Sequence, residues 1–171
     1  MVFLCQTVFR AFELVQAAKN GGRLEVTMEN QDTINLLKEC DAGSKMAVSS
    51  INEVLDKTQN PDLRDLLTLS RSHHEKLGNE IHSLLTECNS ETKEPGAIAK
   101  GMAWMKTNLK LEMKESDATI ADLITDGCNM GIKSLHKYLN QYPAASKTSK
   151  DICKKLTSIE EELCKDLRVY L

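Results

Sequence analysis

Apolar residues recur along most of this chain at alternating spacings of three and four residues, the period of an amphipathic helix. This pattern predicts four long helices, at 30–59, 61–88, 116–142 and 146–170. Pro61 and Pro143 separate the helices within two pairs, because proline ends one helix and is accepted in the first turn of the next. Asn60 and Ser116 stand where side chains cap helix N-termini. The chain is therefore predicted to be all-α.

A half-molecule repeat relates the two predicted helix pairs. Cys40-Asp41-Ala42-Gly43-Ser44-Lys45 returns 88 residues later as Cys128-Asn129-Met130-Gly131-Ile132-Lys133. The glycine of each copy lies in the middle of a helix, where a small residue lets two helices approach closely. Two helical hairpins joined by a long crossover are the organisation of a ferritin-like four-helix bundle. The crossover is predicted to be a polar linker, 89–96, followed by a short helix, 97–114.

Three short segments resemble a known protein family. They are Gly101-Met102-Ala103-Trp104-Met105-Lys106 in the crossover, Asp126-Gly127 in the third helix and Asn60-Pro61-Asp62-Leu63 before the second. All three are similar to segments of an uncharacterised bacterial four-helix-bundle family in the ferritin-like superfamily, over about residues 30–171. The resemblance implies the fold and no defined activity. In that family glutamate typically follows the glycine of the third helix, whereas this chain has Cys128, so a carboxylate metal site is not implied.

The first 27 residues differ from the bundle, predicted at 28–171, because they contain all three phenylalanines of the chain. The segment 1–27 is too short and too polar to span a membrane, and it lacks the features of a secretory signal. Three interpretations remain open: an extra docking helix, an interfacial anchor, or an over-extended translation start. Leu24-Glu25-Val26-Thr27 can be encoded with a ribosome-binding sequence just before Met28, which favours the third.

Composition restricts the classes of function. The 171 residues carry a net charge of −3, with basic and acidic residues interspersed, which gives no electrostatic case for nucleic acid. The six cysteines form no C-x-x-C pair and no zinc-finger spacing. A reducing, cytoplasmic compartment is therefore the simplest expectation, without a transmembrane segment.

The ligand pattern of a ferritin-like di-iron site is missing. Such a site needs a Glu-x-x-His motif on each of two helices and a glutamate on each of the others. Three residues before the four histidines stand Ser70, Arg71, Asn79 and Lys133. This argues against di-iron chemistry of the usual type.

A softer metal site is the alternative. The repeat is expected to bring Cys40 and Cys128 toward each other across the core, with His74 as a third ligand and Asp41 or Glu162 as a fourth. Thiolates and imidazole suit zinc or copper(I) better than a pair of irons. A buried free cysteine also packs as a small hydrophobic side chain, and this structural interpretation is preferred.

Two classes of function follow. The preferred one is a non-catalytic cytosolic bundle that acts by self-association or by binding a protein partner, with no cofactor. The alternative is a metal-binding or thiol-redox bundle that uses zinc, copper or iron at Cys40, Cys128 and His74.

Overall fold

The computed structural model of the chain describes residues 30–90 and 116–171, and these ranges contain four helices and no strand. The described part of α1 spans 30–55, and the other helices are α2 (Pro61–Glu87), α3 (Asp117–Gln141) and α4 (Lys147–Asp166), the last continued by a 3-10 turn at Leu167–Tyr170. The predicted all-α class and the four helices are confirmed. The expectations for segment 1–27 and for the crossover helix around Trp104 lie outside the described residues.

Helix starts follow the predicted capping residues. The Asn60 side chain accepts hydrogen bonds from the backbone N–H groups of Asp62 and Leu63, with Pro61 in the first helical position. Ser116 caps α3 and Ser146 caps α4 in the same way. These side chains satisfy N–H groups that have no partner within the helix.

Two aspartates tie the helix pairs together at opposite ends of the bundle. Asp117, in the first turn of α3, accepts from the backbone nitrogens of Gln59 and Asn60 at 2.8 and 2.9 Å. Asp32 of α1 likewise accepts from the backbone nitrogen of Ala144, between α3 and α4, at 2.9 Å. Helices α2 and α3 therefore begin at the same end. Because the 27 residues of α2 rise about 40 Å, the end of α2 lies about one bundle length from the start of α3.

The described core consists of two apolar clusters on either side of a central polar layer. One cluster includes Leu36, Cys40, Ile81 and Leu156, and the other includes Ile51, Leu67, Ile120 and Leu163. Between them in the helices are six buried polar residues, and hydrogen bonds link four of these: Ser44, Ser70, His74 and Glu160. We call these four residues the central polar layer.

The pattern of buried positions repeats between the two helix pairs, but its offset differs from the 88 residues of the cysteine repeat. Five buried residues of α1 match buried residues of α3 that lie 84 positions later: Leu36, Leu37, Cys40, Ser44 and Ile51 correspond to Ile120, Ala121, Ile124, Cys128 and Leu135. Cys128 is therefore equivalent to Ser44, one helical turn from Cys40. In α2 and α4 the corresponding spacing is 86 residues, which makes His74 equivalent to Glu160.

Candidate functional site

The centre of the polar layer is a buried pair, His74 of α2 and Glu160 of α4. The Nδ1 atom of His74 lies 2.8 Å from the backbone oxygen of Ser70, and Nε2 lies 3.2 Å from Oε1 of Glu160. A carbonyl oxygen only accepts hydrogen bonds, so Nδ1 carries a hydrogen. The second contact then holds one shared proton, and the pair is neutral overall whichever partner carries that proton. Both side chains are at least nine-tenths buried.

Close approach of α1 positions His74. The hydroxyl of Ser44 donates to the backbone oxygen of His74 at 2.6 Å. Gly78, one turn along α2, makes this approach feasible, because a Cβ atom there would lie 3.1 Å from Oγ of Ser44. The serine and the glycine thus set the register of α1 against α2 at the polar layer.

Cys128 of α3 lies beside Glu160 and completes the surroundings of the carboxylate. Burial and the negative charge of Glu160 raise the pKa of the Cys128 thiol far above its ordinary value, so it stays protonated. On the same helix, a Cβ atom at Gly131 would lie 3.4 Å from Oε1 of Glu160. The backbone of α3 therefore packs directly on the carboxylate.

Cys40 has a different neighbour from the one expected. It lies with Cys153 of α4 in one apolar cluster, whereas Cys128 belongs to the other. The thiol of Cys40 hydrogen-bonds Cys153. This contact and burial raise the pKa of Cys40, and the same contact lowers the pKa of Cys153. The predicted approach of Cys40 to Cys128 is not found, because packing matches Cys128 with Ser44.

The two acidic candidates also lie apart from a common centre. Asp41 is buried, with Oδ2 2.6 Å from Nζ of Lys45 and with Oδ1 unpartnered. Glu162 is exposed on α4. Across residues 30–90 and 116–171, no three His, Cys, Asp or Glu side chains form a group suited to hold a metal ion.

Glu160 is the functional candidate that the sequence interpretation missed. It belongs to the acidic run Glu160-Glu161-Glu162, whose other two members are exposed. Its position is nevertheless four residues after Leu156 and three before Leu163, both of which are buried. The three-and-four spacing could have placed it on the inner face.

A cavity of about 170 Å³ opens between α1 and α3 and reaches Glu160. Small and apolar residues form most of its wall, among them Ala42, Gly43, Ala47, Gly127, Gly131, Ile124 and Leu156. Its described titratable groups are all acids: Glu39, Cys128, Tyr138 and Glu160. Partial burial and nearby Glu39 raise the pKa of Tyr138, so the phenol stays neutral. The cavity is thus an apolar space with carboxylates and without a cationic side chain in its described wall.

The two glycines of α3 that line the cavity are expected to differ in how well they tolerate a methyl group. Gly127→Ala is expected to raise the free energy of unfolding by roughly 0.5–1 kcal/mol, because alanine favours the helix and its Cβ would meet nothing within 4 Å. Gly131→Ala should gain less, since its Cβ would place a methyl group 3.4 Å from the buried carboxylate of Glu160. Urea unfolding followed by circular dichroism measures both. An equal gain at the two positions would contradict the packing of Glu160 on α3.

The cysteines give a second stability prediction. Cys40→Ala and Cys128→Ala are each expected to cost about 1 kcal/mol, as a sulfur is lost from a packed core, and the serine variants somewhat more, because a buried hydroxyl needs a partner. Thermal unfolding and metal analysis of protein purified without chelator provide the check. Near-stoichiometric zinc, copper or iron that disappears in Cys128→Ala would show instead that this thiol is a ligand.

Comparison with known proteins bears on the fold. No family model matches the chain, and no curated protein matches it. Among solved structures, Dps from Thermosynechococcus elongatus is similar, with a TM-score of 0.63 and 13% sequence identity over 86% of this chain and 94% of that one. This likeness confirms the ferritin-like four-helix bundle. None of the described helices is long and apolar enough to cross a membrane.

Proposed function

We propose that this protein is a non-catalytic ferritin-like bundle that acts by binding, and that the bound group is a small molecule in the cavity between α1 and α3. The single observation that carries the proposal is this apolar cavity, which opens at the side of the bundle and ends at a buried carboxylate. Binding sites in proteins are commonly apolar clefts with a few placed polar groups, and spaces between bundle helices are frequent locations.

The central polar layer supports binding rather than chemistry. Both ring nitrogens of His74 are engaged, one by Ser70 and one by Glu160. The histidine therefore has no free nitrogen with which to act on a substrate. The thiol of Cys128 stays protonated beside Glu160, and a thiol in that state is a poor nucleophile.

The size of the cavity sets the size of the ligand. An apolar protein cavity of about 150 Å³ accommodates benzene. The cavity here, at about 170 Å³, is slightly larger. A single six-membered ring with a short substituent is therefore the scale of ligand that fits.

Titration with benzyl alcohol, by calorimetry, tests the proposal. Ala47→Leu puts extra carbons into the cavity and is expected to weaken binding at least tenfold. Ala118→Leu makes the same change at an exposed position of α3 and should leave the affinity unchanged. No binding to the wild type, or equal binding to Ala47→Leu, would overturn the proposal.

Light scattering on the same samples tests self-association, the mode of action expected from the sequence. Met130 borders the cavity and is half exposed, so the cavity face would be available to a second copy. A dimer that dissociates in Ala47→Leu but persists in Ala118→Leu would identify a second copy as the occupant, and would overturn the small-molecule proposal.

Metal or thiol-redox function at Cys40, Cys128 and His74 is the alternative, in the reducing cytoplasm that suits free thiols. The donor set does not favour it: Cys40 is in a different cluster from Cys128, and both nitrogens of His74 are used. The metal analysis described above distinguishes the two functions.

A further inference from the structure

The geometry points to an organic ammonium ion as the ligand: a protonated primary amine on an apolar body, with its nitrogen at Glu160 and its body against the walls of the cavity. This inference rests on the proposed function and adds the chemical class of the ligand.

Charge selects a cation. The groups that face the cavity or its end are Glu39 from α1, His74 from α2, Cys128 and Tyr138 from α3, and Glu160 from α4. Apart from His74, which lies behind Glu160 and is bonded to it, all are acids. An organic anion would meet the buried carboxylate of Glu160 and no cationic side chain in the described wall, whereas an ammonium ion would meet an acceptor there.

Glu160 keeps the capacity to receive such a ligand. A carboxylate has two oxygens and about four acceptor sites, and His74 occupies one site on Oε1. Ammonium-to-carboxylate hydrogen bonds are among the stronger ones in proteins. When the ammonium ion binds, the proton shared by His74 and Glu160 leaves to solvent, and N–H groups of the ammonium ion replace it as donors to Nε2 of His74 and to Glu160. The buried group is then neutral before and after binding, so no uncompensated charge is created.

The walls suit the apolar body of the amine. Gly131 lies against the carboxylate, and Gly43, Ala47 and Leu156 line the space beside it. These wall residues offer no hydrogen-bonding side chain, which suits an apolar ring in the cavity. The combination of a ring-sized apolar space and a buried acid matches an arylmethyl- or cycloalkyl-ammonium ion.

Benzylamine, benzyl alcohol and benzoate form a set of probes that share a ring and differ in charge. We expect benzylamine to bind the wild type at least tenfold more tightly than benzyl alcohol, and benzoate not to bind. Glu160→Gln keeps the shape and a hydrogen bond to His74, and should remove the preference for the amine while leaving benzyl alcohol affinity within about threefold. The matched control is Glu162→Gln, which removes the same charge from an exposed position two residues away and should change neither affinity.

The outcomes separate this inference from the proposed function. Benzyl alcohol binding without a preference for benzylamine, or a preference that survives Glu160→Gln, would overturn the ammonium inference and leave the cavity as a binding site. Failure of all three probes would overturn the proposed function itself. If Glu160→Gln does not fold, the comparison is made on the wild type alone. Equal affinities for benzylamine and benzyl alcohol would then exclude the ammonium inference. A preference for benzylamine would support it only if nuclear Overhauser contacts place the methylene of the bound amine near the side chain of Cys128 or Leu156.

Discussion

Replacing His74 with leucine is expected to lower the free energy of unfolding by about 3–5 kcal/mol, because it leaves the carboxyl group of Glu160 buried without the imidazole that shares its proton. The two side chains are 3.2 Å apart and nearly inaccessible to water, so solvent cannot take the place of the imidazole. Urea unfolding followed by circular dichroism at 222 nm measures the change.

The adjacent histidine provides the matched control. His73 is exposed on the same helix, and His73→Leu should change stability by less than about 0.5 kcal/mol. A second comparison is the double variant His74→Leu with Glu160→Leu, which removes both polar groups. Its loss of stability should be clearly smaller than the sum of the losses in the two single variants. A loss below about 1 kcal/mol in His74→Leu would mean that the pair is not buried as described.

Leu67→Ala is the second large expected effect, with a loss of about 2–5 kcal/mol from the cavity it leaves in the core. Leu67 is fully buried in the cluster that joins α2 to α3 and the end of α4. Leu69, two residues later, is 56% exposed, and Leu69→Ala should be nearly neutral. Similar losses at both positions would contradict the inner face assigned to α2.

Local signals in the sequence were sufficient to predict the helices. Asn60-Pro61 combines a capping side chain with a residue that fits the first helical turn, and both act in the structure as predicted. The main boundary error is at the end of α1, which stops at residue 55 rather than 59. Four residues there form the connector that Asp117 and Arg64 hold by hydrogen bonds, and such long-range contacts leave no periodic pattern.

The candidate site was predicted only in part. His74 was expected as a ligand in the core, and the structure buries it, because its spacing from the leucines of α2 is regular. Its partner Glu160 was not predicted to be buried, because it is charged and two further glutamates follow it. Its spacing from Leu156 and Leu163 is nevertheless equally regular. The prediction that Cys40 corresponds to Cys128 was wrong. It rested on the similarity of two short sequence segments, whereas the structural equivalence of two residues depends on how the helices pack.

The cavity could not be predicted from the sequence at all. Small residues such as Gly43, Ala47 and Gly131 are equally compatible with close helix packing, which leaves no space, and with a gap between helices that stand further apart. Only the distance between α1 and α3 distinguishes these two arrangements. That distance depends on the larger side chains of both clusters acting together, such as Ile51 and Leu135.

The most direct test of the binding account is a nuclear Overhauser measurement between unlabelled benzyl alcohol and isotopically labelled methyl groups of the protein. The account predicts contacts from the ring protons to the methyls of Ala47, Ala42 and Leu156, all of which line the cavity. Contacts confined to exposed methyls such as those of Leu69 and Val169, or the absence of any contact at saturating benzyl alcohol, would contradict it.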